Sequence, residues 1–589
     1  MTDPFSLIVG GVGIASLAIQ LLGGCIKGFV LLSTAHNLGK DASTIVCMLN
    51  LQEIQLTEWA RRAGLLTGDG SLDRRLNPAA IEETLRQIQD LLQSTDKLKT
   101  RYKLSLVSQK PNGYETTATH DPSSPEKVIV FAGISEATRD DILARAGIAQ
   151  KANFAKRMWW AAVDKEKIEG LVTDVHFLVR ELWHLIAPLR EDDMFTSLNS
   201  VLSNVIRMNT GFEQLVSIKE SLVAIQERLA SSAEPEANGL ASAAGLKAMQ
   251  VALGDDDASA EANGDVAVSK RQEVLQNLER LSRRKLTSFT PTKKNENRGW
   301  GIYDGESVFV EWKEVNPAYR SKVLPRAENL AALLNVSKDK TFLSLSCKGL
   351  LEDDQKIGFV FNQPSPDKTP KEPKSLLDLF STRGGIEPPS LSDRVRVALR
   401  VAQVVRNFHR TGWLHKGLRS DNILFFDTTD VLVTVRSTNF VLVGFNFARL
   451  GTPTEISEQP SADPKHDIYR HPSALGQPLV SFDESMDVYS LGTILLEIAE
   501  WRALRYLVDS VVDVDAQEVP LDKLAAVRQF LLDGKGKGGT TKLLPKMGDV
   551  YTSACMMCLS GKMEPQGEDN ASQRSVLDEV VRQLQSCRV

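Results

Sequence analysis

The stretch Asp3–Phe29, DPFSLIVGGVGIASLAIQLLGGCIKGF, decides how the first part of the chain is read. It carries no charge from Pro4 to Ile26, a helical run long enough to cross a bilayer. Asp3 suits a helix cap and Pro4 the first helical position. Ser16, Gln20 and Lys27 fall on one side of that helix with aliphatic residues elsewhere, a pattern that also suits a core position in a bundle. A secretory leader needs a basic start, and the leading charge here is Asp3. The same lack counts against a lipoprotein leader ending in LGGC at Cys25. Gly11, Gly13 and Ser16 follow no strand and lack the third glycine, so they form no dinucleotide loop. Gly24 and Gly28 give a GxxxG of the kind that brings helices together in lipid.

Working outward, the next segments read as helices. In GKDASTIVCMLNLQEIQLTEWARRAGLL, Ile45, Met48, Leu51, Ile54 and Leu56 recur near the helical period, with Trp59 closing the face. NPAAIEETLRQIQDLLQ repeats the pattern behind an Asn77–Pro78 start, and KIEGLVTDVHFLVRELWHLIAPL and VLSNVIRMNTGFEQLVSIKESLVAIQERL follow. Residues 1–230 therefore read as an all-α bundle. The whole chain has 589 residues, 42% hydrophobic and 25% charged, which is globular and too long for one core. A net charge of −5 gives no basic footprint for nucleic acid. Six scattered cysteines form no disulfide framework, and Cys555 and Cys558 sit in an apolar run that reads as buried helix rather than a metal site.

The opening stretch, LGKD after it, and the helix ending in LTEWARRAGL resemble the HeLo domain of fungal prion-inhibition and propagation proteins, the HET-S-like family. The resemblance implies a bundle whose apolar segment, Phe5–Ile26, is sheltered at rest and released to permeabilise membranes. It also implies self-association on activation, contact with membrane lipids, and movement from cytoplasm to plasma membrane. Residues 231–285 are then rich in Ala, Gly, Ser and acids and read as a flexible linker ending in a short amphipathic helix, RQEVLQNLERLSRRKL.

Residues 286–589 carry a second pattern. GWLHKGLRSDNILFF resembles a protein-kinase catalytic loop, with His415, Leu418 and Asn422 in register. VLVGFNFARL stands where the family has its D-F-G strand, and FDESMDVYSLGTILLEIAE resembles its central helix with Asp487 as anchor. ESVFVEWKEV looks like the strand with the nucleotide-pairing lysine, here Lys313, and Glu328 is its candidate partner. FVFNQP looks like the hinge. The resemblance implies an α+β two-lobed kinase-like fold, with an N-lobe at about 296–364 and a C-lobe at about 365–589.

The chemistry departs from the family. The catalytic-loop Asp and the D-F-G Asp, which orient the nucleophile and hold Mg²⁺, are replaced by Gly417 and Gly444, and the D-F-G glycine by Asn446. Loss of a general base alone costs about 10²–10⁴ in rate. Gly299, Gly301 and Gly305 give a glycine-rich loop one residue off pattern. No catalytic residue is assigned; Lys313 and Asn422 are candidates for pairing a nucleotide, ATP is not required, and no metal site is expected. The reading is a pseudokinase that senses an upstream protein or kinase and releases a membrane-permeabilising bundle, in a cell-death or heterokaryon-incompatibility role. The alternative is an active but atypical Ser/Thr kinase in fungal signalling with the bundle as docking module.

Overall fold

The protein is described here by a computed structural model. It covers residues 11–33, 42–107, 134–148, 159–186, 202–228, 235–253, 268–363, 373–380, 388–426, 435, 439–475, 481–533, 542–561 and 575–587, leaving out within these ranges 67–71, 74–75, 135, 163–164, 204, 293–294, 337, 339, 354, 446–447, 451–462 and 517–518. The chain forms two compact units. Unit 1 comprises Met1–Val205 and Gln214–Ala233, and unit 2 comprises Ile206–Glu213 and Glu234–Val589.

In unit 1, helix α1 (Gly11–Ser33) packs against α2 (Ala42–Arg62), α3 (Pro78–Gln93) and α4 (Glu136–Arg145), and α5 (Lys165–His184) closes on α2 and α3. Local chemistry sets the start of α3: the Asn77 side chain accepts from the N–H groups of Ala79 and Ala80, and Pro78 takes the first turn. Its buried residues Ile81, Leu85, Ile88 and Leu92 recur at helical spacing and meet Leu22, Cys25, Ile26 and Phe29 of α1 in one core. Trp59 is fully buried there, and its indole N–H donates to the Leu182 carbonyl at 2.8 Å. Ser16 and Gln20 are exposed and Lys27 is half-buried, so α1 keeps a thin polar stripe. Among the described residues the unit is helical apart from an antiparallel ladder of β1 (Leu104–Val107) with β2 (Trp159–Ala162), which the apolar periodicity did not suggest.

Asp3, Pro4 and the residues up to Gly10 lie outside the described residues. Among the described residues no helix is long and apolar enough to cross a membrane. The uncharged part of α1 ends at Lys27, and Gly11–Ile26 spans about 24 Å against a hydrocarbon core of about 30 Å.

Unit 2 differs from the linker expectation at its start. Residues 235–253 form helix α6 (Pro235–Leu253), with Leu240, Ala243, Ala244, Leu246 and Leu253 buried. Its small alanines let it lie close to α7 (Arg320–Asn335) and α8 (Leu391–Arg410), so contacts outweigh the polar, glycine-containing composition. The helix expected through Leu286 is also shorter. Glu279–Leu281 instead forms β3, pairing in parallel with β7 (Cys347–Glu352), because the sheet edge satisfies backbone groups that solvent would otherwise hold.

The sheet continues with β4 (Leu286–Thr292), β5 (Asn295–Tyr303), β6 (Glu306–Glu314) and β8 (Lys356–Asn362) in the order β3-β7-β8-β6-β5-β4. All neighbours after β3–β7 are antiparallel, and α7 connects β6 to β7. The second part is mainly helical. Helix α9 (Glu484–Glu500) is buried along nearly its whole length between α8 and α10 (Leu544–Ser560), and α11 (Val576–Ser586) covers α8 and α10. Cys555 and Cys558 are fully buried on α10, where burial pushes the Cys555 thiol up to about 12. This part thus matches a mixed sheet plus helices.

Candidate functional site

Between the sheet and the helical part of unit 2, the chain gathers a polar cluster around residues 415–422 and 443–444. Strands β9 (Ile423–Phe425) and β10 (Phe440–Leu442) pair antiparallel and hold the two segments side by side. Asp487, fully buried near the start of α9, accepts from the backbone N–H groups of His415 (2.6 Å) and Lys416 (2.9 Å). Lys416 has φ +61, and its ammonium lies 5.5 Å from the Phe482 ring centre. His409 also faces Asp487 at 3.3 Å; burial opposes charging it, but the bond to Asp487 and that carboxylate's charge raise its pKa.

His415 holds the loop against the neighbouring segment. Its Nε2 lies 3.0 Å from the Val443 carbonyl, and its Nδ1 accepts from the Gly417 N–H at 3.2 Å, which is the bonding of a neutral ring. Burial pushes its pKa down to about 4. An unfolded histidine titrates near 6.5, so between these values the unfolded state binds more protons. Stability is therefore full above about 6.5 and falls as pH drops toward 4. The expected loss from this residue reaches about 3 kcal/mol. Urea midpoints for unit 2 measured from pH 7 to 4.5 should fall, and His415→Gln should make that slope shallower.

Gly417, Asn422 and Gly444 are brought together. The Asn422 amide donates to the Gly417 carbonyl at 2.6 Å, and a Cβ built on Gly417 would lie 3.5 Å from the Gly444 carbonyl, which is ordinary contact. At Gly444 there is no such room: φ is +85, and a Cβ would lie 2.6 Å from Asn422 Cγ. Asn446 lies outside the described residues.

Two residues that motif reading passed over complete the cluster. Arg298 on β5 and Glu311 on β6 are direct cross-strand partners, and their side chains are 8% and 2% exposed. They meet at 2.9 Å. The Arg298 guanidinium also donates to Asn422 Oδ1 at 2.6 Å and to the Asp421 carbonyl at 3.2 Å. Glu311 Oε2 accepts from the Gly444 N–H at 3.1 Å. A signal for this existed in the sequence: one acid inside the apolar run VFVEW, facing one arginine across a hairpin.

Of the residues expected to pair a nucleotide, Asn422 lies in this cluster, while Lys313 and its expected partner Glu328 are carried by β6 and α7. Lys313 is half-buried two residues beyond Glu311, opposite Ile357 in register. Glu328 on α7 is ion-paired with Arg280 at 3.0 Å. Gly299 and Gly301 lie within β5 rather than in a loop; a Cβ on Gly301 would meet Leu286 at 2.6 Å, so this glycine allows close strand packing. Gly305 takes φ +86 in the turn joining β5 to β6.

In unit 1 the glycines of α1 serve helix packing. A Cβ on Gly28 would lie 2.5 Å from Leu92 Cβ on α3, and one on Gly24 would meet the Gln89 side chain. The Gln93 amide donates to the Gly24 carbonyl at 2.5 Å, and the Cys25 thiol to the Leu85 carbonyl at 3.4 Å. The buried Glu53 and half-buried Arg139, bonded at 2.8 and 2.6 Å, tie α4 to α2.

The HeLo family model, described as prion-inhibition and propagation, matches residues 11–216. The N-terminal unit is thus similar to HeLo domains over α1 to α5 and beyond, which points to a cell-death and incompatibility-related role for this part of the chain.

Proposed function

We propose that the chain is a cell-death effector of the incompatibility type, in which a pseudokinase unit senses a signal and frees the HeLo-like bundle to self-associate on and permeabilise membranes. The observation that carries this reading is α1: an almost wholly apolar helix held in the bundle by glycine contacts, inside a region that matches the HeLo family. Separation of its partners would expose the apolar face of α1, the kind of patch that seeks a protein or membrane surface. The segment entering lipid would be Phe5–Ile26, with the protein cytoplasmic at rest and at the plasma membrane when active. The signal would come from an upstream protein or kinase.

For unit 2, a magnesium nucleotide does not suit the donor set. The two positions that would carry carboxylates are Gly417 and Gly444, and Glu311, from the sheet, already takes the Gly444 N–H. A sensor built this way responds to contact or modification rather than to turnover. Phosphotransfer by the purified chain should equal that of a Lys313→Met variant; a difference would favour an atypical kinase.

The decisive test uses the full chain with a protease site placed at residues 229–234 and dye-loaded vesicles containing phosphatidylserine. The uncut protein should leave vesicles intact, and cleavage should raise dye release at least tenfold. Intact vesicles after complete cleavage, whatever the lipid composition, would remove the permeabilising role.

A further inference from the structure

We propose that Arg298 and Glu311 form a latch that holds the sheet of unit 2 closed on its helical part, with the protein's own charges in the place of a ligand. Both residues come from the sheet, on β5 and β6. Hydrogen bonds from both cross to the helical part: Arg298 donates to Asn422 Oδ1 and the Asp421 carbonyl, and Glu311 accepts from the Gly444 N–H. Trp300, two residues from Arg298, adds an edge contact with Phe426 at 5.6 Å across the same boundary.

The physics makes this closure adjustable. Burying two charges costs hydration, and the cross-boundary hydrogen bonds return it only while the two parts are closed. Removing one partner leaves the other charge buried and unpaired, which favours opening of the two parts. The glycine at 444 belongs to the device. Any side chain there would strike Asn422, and an acid would also oppose Glu311. The latch requires the glycine that removes the metal ligand.

The inference rests on the geometry of unit 2, whereas vesicle permeabilisation tests the role of the bundle, so either can fail alone. The test is hydrogen exchange by mass spectrometry on the full chain. Glu311→Gln and Arg298→Gln should each speed exchange of residues 415–426 and 439–445 at least tenfold, leaving α10 and α3 unchanged. If a single variant exchanges everywhere, the double Arg298→Leu/Glu311→Leu leaves no unpaired charge, and it should protect α10 while still opening at 439–445. Unaltered exchange at 415–426 and 439–445 in folded variants overturns the latch. General unfolding of the double variant also overturns it, since the pair would then serve the fold as a whole.

Discussion

Gly444→Asp lowers the stability of unit 2 by about 4 kcal/mol and gives no phosphotransfer. This substitution restores the carboxylate that a kinase would carry at this position, yet three terms oppose it. The backbone at 444 has φ +85, which costs a non-glycine residue about 1–3 kcal/mol. A Cβ would sit 2.6 Å from Asn422 Cγ and 2.8 Å from its Oδ1, and Asn422 cannot retreat without breaking its bonds to Arg298 and Gly417. The new carboxylate would also lie near Glu311, which already accepts from the Gly444 N–H. Calorimetry of the full chain should show the transition of unit 2 moving down and that of unit 1 staying in place. Unchanged stability together with magnesium–ATP binding would show that the cleft accepts the family's chemistry after all.

Gly28→Leu is the second large effect, a loss of about 3 kcal/mol from unit 1. Leu has the better helix propensity by about 0.8 kcal/mol, so sequence reasoning alone expects α1 to gain. Packing reverses the sign. The clash falls on Leu92 Cβ at 2.5 Å, an atom fixed to the backbone of α3, and the two helices must part to relieve it. Gly24→Ala is the control: its neighbour is the movable Gln89 side chain, so propensity should win and stability should hold or rise slightly. Circular dichroism of the full chain under denaturant separates the two. In the permeabilising reading, Gly28→Leu also releases vesicle dye without cleavage, and Gly24→Ala does not. Dye retention by a destabilised Gly28→Leu protein would count against α1 as the membrane-active element.

Much of this was legible in the residues. The periodicity of Ile81, Leu85, Ile88 and Leu92 behind Asn77–Pro78 marks α3 with its cap, and the thin polar face of α1 follows from Ser16, Gln20 and Lys27. Strand β6 and helices α7 and α9 stand where ESVFVEWKEV, RAENLAALLN and FDESMDVYSLGTILLEIAE suggested regular structure. Other features were hidden for identifiable reasons. Helix α6 looked like linker because its alanines and glycines are weak signals in composition but close-packing residues in a groove. Gly299 and Gly301 looked like a phosphate loop because spacing does not report whether a glycine sits in a strand or a turn. Lys313 drew attention as the only lysine in its strand, and Glu311, two residues earlier, holds the bonds to the helical part.

The sequence by itself determined the strongly patterned elements such as α3, β6 and α9, the similarity of the N-terminal helices to the HeLo family, and the absence of side chains at positions 417 and 444. These are properties of neighbouring residues along the chain, set by periodicity, capping and side-chain identity. Tertiary structure alone decided what the glycines and buried charges are for. Whether Gly28 faces lipid or Leu92, and whether Glu311 faces solvent or Arg298, Asn422 and Gly444, depends on residues up to 133 positions apart. Burial then fixes the sign of each effect, because a Cβ or a charge that water would tolerate has no room or hydration inside the packed protein.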